Sequence, residues 1–180
     1  MTKAIVLYWS QTGNTEKVAN ALKDGLSRAG MTVSMERIER TTDVDLTAYD
    51  LICVGFPSYR WSPPKPVDDF LNRVFDKYRR QGWVKLGAPP RSNTRALIVC
   101  TYSGPHTGIR EVIPAGKYAG QFFEHLGIPV ADAWYVVGEF HGREDASTQG
   151  RLGDIRGRPS EEDLDRVRRD AEALVGQLPG

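Results

Sequence analysis

The stretch Ala4-Ile-Val-Leu-Tyr-Trp9, followed at once by Ser10-Gln-Thr-Gly-Asn-Thr15, decides the fold. Its first half is a continuous apolar run. Continuity in place of alternation marks a strand covered on both faces, as in a parallel sheet. Its second half carries three hydroxyls and a glycine. A helical pattern follows over about Asn14 to Ala29, with Val18, Ala19, Leu22 and Leu26 on one face and Gly30 as the stop. Buried strand, polar loop and amphipathic helix together open an α/β unit.

The rest of the chain continues the alternation. Thr32 to Ile38 reads as a second strand and Leu51 to Gly55 as a third, stopped by Pro57. Between them the expected helix shrinks to a short connection near Asp43 to Ala48. A helix over about Pro66 to Arg80 turns Val67, Phe70, Leu71 and Val74 inward, and proline suits its first turn. Thr94 to Thr101 is a fourth strand. A third helix opens near Pro114 and buries Ala119, Phe122, Phe123 and Leu126. Ala133 to Gly138 is the fifth strand. Glu139 to Pro159 reads as one long loop. Ser160, with an acidic first turn behind it, caps a last helix. The order implies one domain over 1–180, an open parallel sheet with helices on both faces.

In such sheets ligands bind beyond the carboxyl ends of the strands, which directs attention to Ser10–Thr15. Backbone N–H groups at a helix N-terminus are unpaired, and the helix dipole favours an anion. Gly13 permits close approach, and Ser10, Thr12 and Thr15 supply hydroxyl donors. A Walker loop needs Gly-Lys followed by Ser or Thr, and here Asn14 follows Gly13. A dinucleotide fingerprint needs three spaced glycines, and one is present. A response-regulator site needs an acidic pair after the first strand, and Tyr8-Trp9-Ser10 has none. The residues also suit a helix cap that holds no ligand, so the spacing alone leaves two readings open.

Ser10, Gln11, Thr12, Gly13, Asn14 and Thr15, placed after that apolar run, resemble the phosphate loop of the flavodoxin-like family. Tyr49-Asp-Leu-Ile-Cys-Val-Gly-Phe-Pro57 resembles the family's third strand and the start of its first flavin loop. The resemblance implies a three-layer sandwich with a five-stranded parallel sheet in the order 2-1-3-4-5. It implies FMN, bound without a covalent link. It also implies that two further loops flank the flavin ring: Pro57, Ser58, Tyr59, Arg60 and Trp61 after the third strand, and Thr101, Tyr102, Ser103 and Gly104, with Gly108 beyond, after the fourth. Tyr59, Trp61 and Tyr102 supply flat surfaces on which a ring can stack. N–H groups near Gly104 and Gly108 are placed to meet its polar edge.

Composition narrows the function. A net charge of +1 gives no general pull towards nucleic acid or an anionic membrane. No apolar run has the length of a membrane span, and no small-residue cleavage pattern follows Trp9, so the cytoplasm is the expected compartment. Cys53 and Cys100 lie in buried strands without metal or redox spacing. A basic stretch from Arg73 to Arg95, with Lys77, Arg79, Arg80, Lys85 and Arg91 inside it, reads as a solvated surface or as a docking patch.

The simplest members of the family are acidic electron carriers. This chain departs from them in charge and in its loops, for Trp61-Ser-Pro-Pro-Lys-Pro66, Tyr102–Ile113 and Glu139–Pro159 are placed to wall a pocket. The expectation is an FMN-dependent reductase that takes electrons from NAD(P)H and passes them to a quinone or similar acceptor. His106 and His141 are the candidate proton relays, although exposed loop positions suit them equally. A homodimer could complete a shallow site. The alternatives are an electron carrier for a redox partner protein and a flavin-free scaffold.

Overall fold

Strand β1 (Lys3–Tyr8) divides its apolar run between two cores. Ile5 and Leu7 point to one face of the sheet, and Ala4, Val6 and Tyr8 to the other. With helices on both faces, no central position meets water, so the strand is apolar throughout. Strand β3 (Leu51–Pro57) sets Ile52, Val54 and Phe56 against Leu51 and Cys53 in the same way. Strand β4 (Arg95–Tyr102) sets Ala96, Ile98 and Cys100 against Leu97 and Val99. This computed structural model describes residues 2–90 and 93–179.

Every strand pairing is parallel, and the order is β2-β1-β3-β4-β5, with β2 (Thr32–Arg37) and β5 (Val130–Val137) at the edges. Helices α2 (Lys65–Arg80) and α3 (Ile113–His125) cover one face with Val67, Phe70, Val74, Ala119 and Phe123. Helices α1 (Asn14–Arg28) and α5 (Glu161–Val175) cover the other with Val18, Leu22, Leu26, Val167 and Ala171. At Gly25 the backbones of α1 and α5 come so close that an added Cβ would lie 2.4 Å from the Arg168 carbonyl oxygen. Ser160 caps α5 in a reciprocal box with Asp163, whose carboxylate also pairs with Arg158 and Arg166.

Three segments differ from the sequence reading. β5 starts at Val130, earlier than Ala133, because it is an edge strand whose Ala131 and Asp132 are exposed and carry no apolar signal. The span 139–159 is not one open loop. It contains a short helix, α4 (Glu144–Thr148), and buries Ala146, Ser147 and Ile155. In the basic stretch Lys77 pairs with Asp43 at 2.7 Å, Arg79 pairs with Asp76 at 3.2 Å, and Arg73 donates to the Thr42 carbonyl at 2.8 Å. Arg91 lies outside the described residues. The connection between β2 and β3 is a single 3-10 turn at Leu46–Ala48.

Cys53 and Cys100 are free, fully buried and on opposite faces of the sheet, which rules out a bond between them. Burial pushes both thiols up. Among the described residues no helix is long and apolar enough to cross a membrane.

Candidate functional site

The loops after β1, β3, β4 and β5 converge at the carboxyl end of the sheet, around a cavity of about 480 Å³. That is within the usual size for a small-molecule or cofactor site, about 300–1,000 Å³. The chain reverses direction across the sheet between β1 and β3, and the cavity opens beside that reversal.

The first wall is the β1–α1 loop. Gly13 is the residue before α1 and sits at φ 95°, left-handed backbone that glycine adopts without strain. No side chain caps this helix. The Gly13 N–H donates to Ser10 Oγ at 3.1 Å, and Lys17 makes the first helical bond, to the Gly13 carbonyl at 3.0 Å. Among the described residues, none accepts from the N–H groups of Asn14, Thr15 and Glu16. Three orphan donors and a positive helix end beside a cavity are the chemistry of an anion cradle. Thr15 Oγ1 lies 2.8 Å from Thr101 Oγ1, a buried pair in which one hydroxyl donates and the other keeps its proton for a third partner.

The second wall is a tight hairpin after β3. The Tyr59 N–H donates to the Ser62 carbonyl at 2.9 Å, and the Ser62 N–H returns the bond at 3.1 Å. Between them Arg60 (φ 48°) and Trp61 (φ 65°) are both left-handed, so two residues with bulky side chains occupy a turn that favours glycine or asparagine. Trp61 is 61% exposed at its tip. The Tyr59 hydroxyl donates to Gln11 Oε1 at 3.2 Å, which joins the second wall to the first. Its ring meets Trp9 edge-on at 6.1 Å, and burial raises its phenol.

The third wall follows β4. Glu111 Oε1 accepts from the His106 N–H at 2.8 Å and the Thr107 N–H at 2.6 Å, and so shapes the loop from within. Gly104 lies against Gly108, where an added Cβ would come 2.7 Å from the Gly108 carbonyl oxygen. The Gly108 N–H donates to the Gly104 carbonyl at 3.0 Å, and Gly108 does not line the cavity. The expected role of that N–H therefore gives way to a local turn. Tyr102, Ser103, Gly104, Pro105 and His106 do line it. Burial raises the Tyr102 phenol, and the nearby Arg158 opposes the rise.

The fourth wall, Gly138 to His141, comes from the segment after β5. The Asn14 amide fastens it to α1. Its Nδ2 donates to the Glu139 carbonyl at 3.0 Å, and its Oδ1 faces His141 Nε2 at 3.3 Å. A carbonyl only accepts, so the amide orientation follows, and His141 must carry its proton on Nε2. Further along, the Arg151 N–H donates to the Pro105 carbonyl at 2.8 Å, and the Ser147 hydroxyl receives the Phe140 N–H at 3.0 Å.

The cavity thus gathers Ser10, Gln11, Thr12, Asn14 and Thr15 with Pro57 to Trp61, Thr101 to Gly104, His106 and His141. Gly13 stands behind its lining as a backbone device. Sequence reasoning missed Glu111, Gly138, Glu139 and Phe140. Glu139 is placed from another loop by Asn14, while Glu111 and Phe140 are placed within their own segments by His106, Thr107 and Ser147, at spacings that carry no sequence signature. An anion cradle and the aromatic surfaces of Tyr59, Trp61 and Tyr102 in one cavity suit a ligand with a phosphate and a flat ring.

The flavodoxin family model matches residues 6–100, more than half of the 180. Flavodoxin of Megasphaera elsdenii is 40% identical over 53 residues, 29% of this chain, which spans only 39% of that protein. A protein named NAD(P)H dehydrogenase (quinone), from Azorhizobium caulinodans, is 35% identical over 201 aligned positions, with 97% of this chain and 96% of the relative covered. Oxidised Flavodoxin 2 from Bacillus cereus superimposes with a TM-score of 0.69 at 17% identity, over 98% of this chain and 100% of that one. The chain belongs to the flavodoxin family and is an FMN flavoprotein.

Proposed function

We propose that this flavoprotein takes electrons from NAD(P)H and delivers them to a quinone or a similar small acceptor. The observation that carries the reading is the fourth wall. Gly138 to His141, tied to Asn14, line the cavity together with the β4 loop, and further along the same segment Arg151 bonds the Pro105 carbonyl. A simple carrier needs only a bound ring with one edge exposed. A reductase of small molecules needs space for a second flat ring and walls to hold it. The full-length similarity to the Azorhizobium quinone dehydrogenase points the same way.

In this reading the N–H groups of Asn14, Thr15 and Glu16, with the hydroxyls of Ser10, Thr12 and Thr15, hold the FMN phosphate. Tyr59, Trp61 and Tyr102 supply stacking faces, and Pro57, Ser58, Arg60, Ser103 and Gly104 shape the slot between them. Bound FMN supplies the two-electron chemistry. His106 lines the cavity with its backbone held by Glu111 and its side chain exposed, so it is the better placed of the two histidines to move a proton. His141 is committed to Asn14 through Nε2 and acts as a support.

The test is spectroscopic. FMN-loaded protein is mixed with NADPH and with NADH without oxygen, and the visible flavin bands are followed. Bleaching by either nucleotide, reversed by added benzoquinone, is the expected result. No bleaching by nucleotides, with rapid reduction by a protein donor, would instead establish the carrier. The flavodoxin similarity favours that second reading.

A further inference from the structure

Arg37 is the last residue of β2 and pairs in register with Tyr8 on β1. Its guanidinium reaches along the strand end and donates from Nη2 to the Ser10 carbonyl at 2.6 Å. Ser10 opens the phosphate loop, and it is the peptide between Ser10 and Gln11 whose oxygen Arg37 holds. That peptide is trans, for the cis bond among the described residues is at Arg158–Pro159. In a planar trans peptide the N–H points opposite to the C=O. The Gln11 N–H therefore points away from Arg37. No described residue accepts from it, and Gln11 lies in the cavity lining. A hydrogen bond from a cation to the carbonyl also polarises the peptide, which makes its N–H a stronger donor.

The nearby groups support an electrostatic role. The Tyr8 phenol donates to Glu16 Oε1 at 2.9 Å, so this carboxylate is engaged by a neighbour other than Arg37. Among the described residues Arg37 has no ion-pair partner; its guanidinium bonds the Ser10 carbonyl and also interacts with the Tyr8 phenol. A guanidinium is charged at any working pH. Here it is carried by an edge strand to the outer side of the loop whose inner side offers orphan N–H groups.

We propose that Arg37 is a positioning residue for the cofactor phosphate: by gripping the Ser10 carbonyl it aims the Gln11 N–H into the phosphate site and sets a positive charge behind it. The inference rests on FMN being the ligand. It goes beyond that reading in naming a residue outside the loop and outside the cavity lining.

Dissociation constants for FMN and for riboflavin, which lacks the phosphate, are measured by fluorescence on wild type, Arg37→Met, Arg37→Gln and Arg37→Lys. In Arg37→Met the FMN constant rises about tenfold while the riboflavin constant stays within about twofold. The salt dependence of FMN binding becomes shallower, and Arg37→Lys recovers part of the loss. Arg37→Gln keeps a neutral donor for the Ser10 carbonyl and carries the same comparison if the methionine variant does not fold. Equal weakening of FMN and riboflavin makes Arg37 a structural strut and overturns the proposal, as does unchanged FMN binding. Wild-type protein that binds neither flavin overturns the cofactor reading itself, a result visible before any variant is made.

Discussion

Thr15 and Thr101 meet through their hydroxyls at 2.8 Å, the first turn of α1 against the end of β4. Both residues are buried, at 1% and 2% exposure. The pair lies in the cavity lining and ties the β1–α1 loop to the end of β4. Replacing either residue with valine keeps the shape and leaves the other hydroxyl without its partner, which costs about 1–2 kcal/mol. The double variant removes both hydroxyls and loses less than the sum of the singles. Urea unfolding of the four proteins without cofactor measures this. Strictly additive losses would show that the two hydroxyls do not depend on each other.

The hairpin tip gives two outcomes of opposite sign. Arg60 and Trp61 hold left-handed backbone that strains a side chain by about 1 kcal/mol or more each. Arg60→Gly relieves its share and raises the melting temperature by a few degrees, about 1 kcal/mol in all. Trp61→Gly also relieves strain, yet it removes a stacking face and weakens FMN about tenfold. Thermal melts and flavin titrations separate the two effects. A destabilised Arg60→Gly protein would mean that the arginine side chain makes a contact worth more than the strain.

Asp163 should report on acid stability. Burial alone would raise its carboxyl, but hydrogen bonds from Arg158 and Ser160 outweigh burial and hold it below the ordinary value. A carboxyl depressed in the folded state stabilises the fold above its unfolded pKa, about 3.9, and the contribution is lost as pH falls through the lower folded value. Asp163→Asn therefore loses about 2–3 kcal/mol at neutral pH, the exposed arginines softening the loss. The gap to wild type narrows below about pH 4. Urea midpoints at pH 7 and pH 3 supply the numbers, and a gap constant with pH would remove the charge from the explanation.

Asn14 carries two bonds to the fourth wall, at 3.0 Å to the Glu139 carbonyl and 3.3 Å to His141. Asn14→Ala frees that wall locally. Trypsin then cuts within 139–159, where Arg143, Arg151 and Arg156 are exposed, about tenfold faster than in wild type, while α5 stays protected. Timed digests read by mass spectrometry follow the cuts. Unchanged cleavage would assign the wall's order to its backbone bonds alone.

The sheet was legible because Ala4–Trp9, Leu51–Gly55 and Ala96–Cys100 are apolar without interruption, and only two covered faces account for that. The edge strand β5 was read short because a strand exposed on one side loses that signal. The anion cradle of the β1–α1 loop was legible because its donors are local: the glycine, the hydroxyls and the helix N-terminus fall within a few residues. The fourth wall was hidden for the opposite reason. Phe140 depends on Ser147, and Glu139 on Asn14, and no spacing rule links such partners. Arg37 escaped notice too, as an exposed arginine at a strand end whose target, Ser10, belongs to another element.

The wall after β5 is pinned chiefly through main-chain atoms: Gly138 to Tyr102 at 2.8 Å, Glu139 to Arg158 at 2.9 Å, Arg151 to Pro105 at 2.8 Å and Ile155 to Ser147 at 2.8 Å. Bonds of that kind are indifferent to which side chain a residue bears. Phe140 is therefore free to be exchanged for another residue without moving the backbone that presents it. Under the proposed function, the side chain that faces an acceptor can change while the β1–α1 loop, proposed to hold the phosphate, stays as it is.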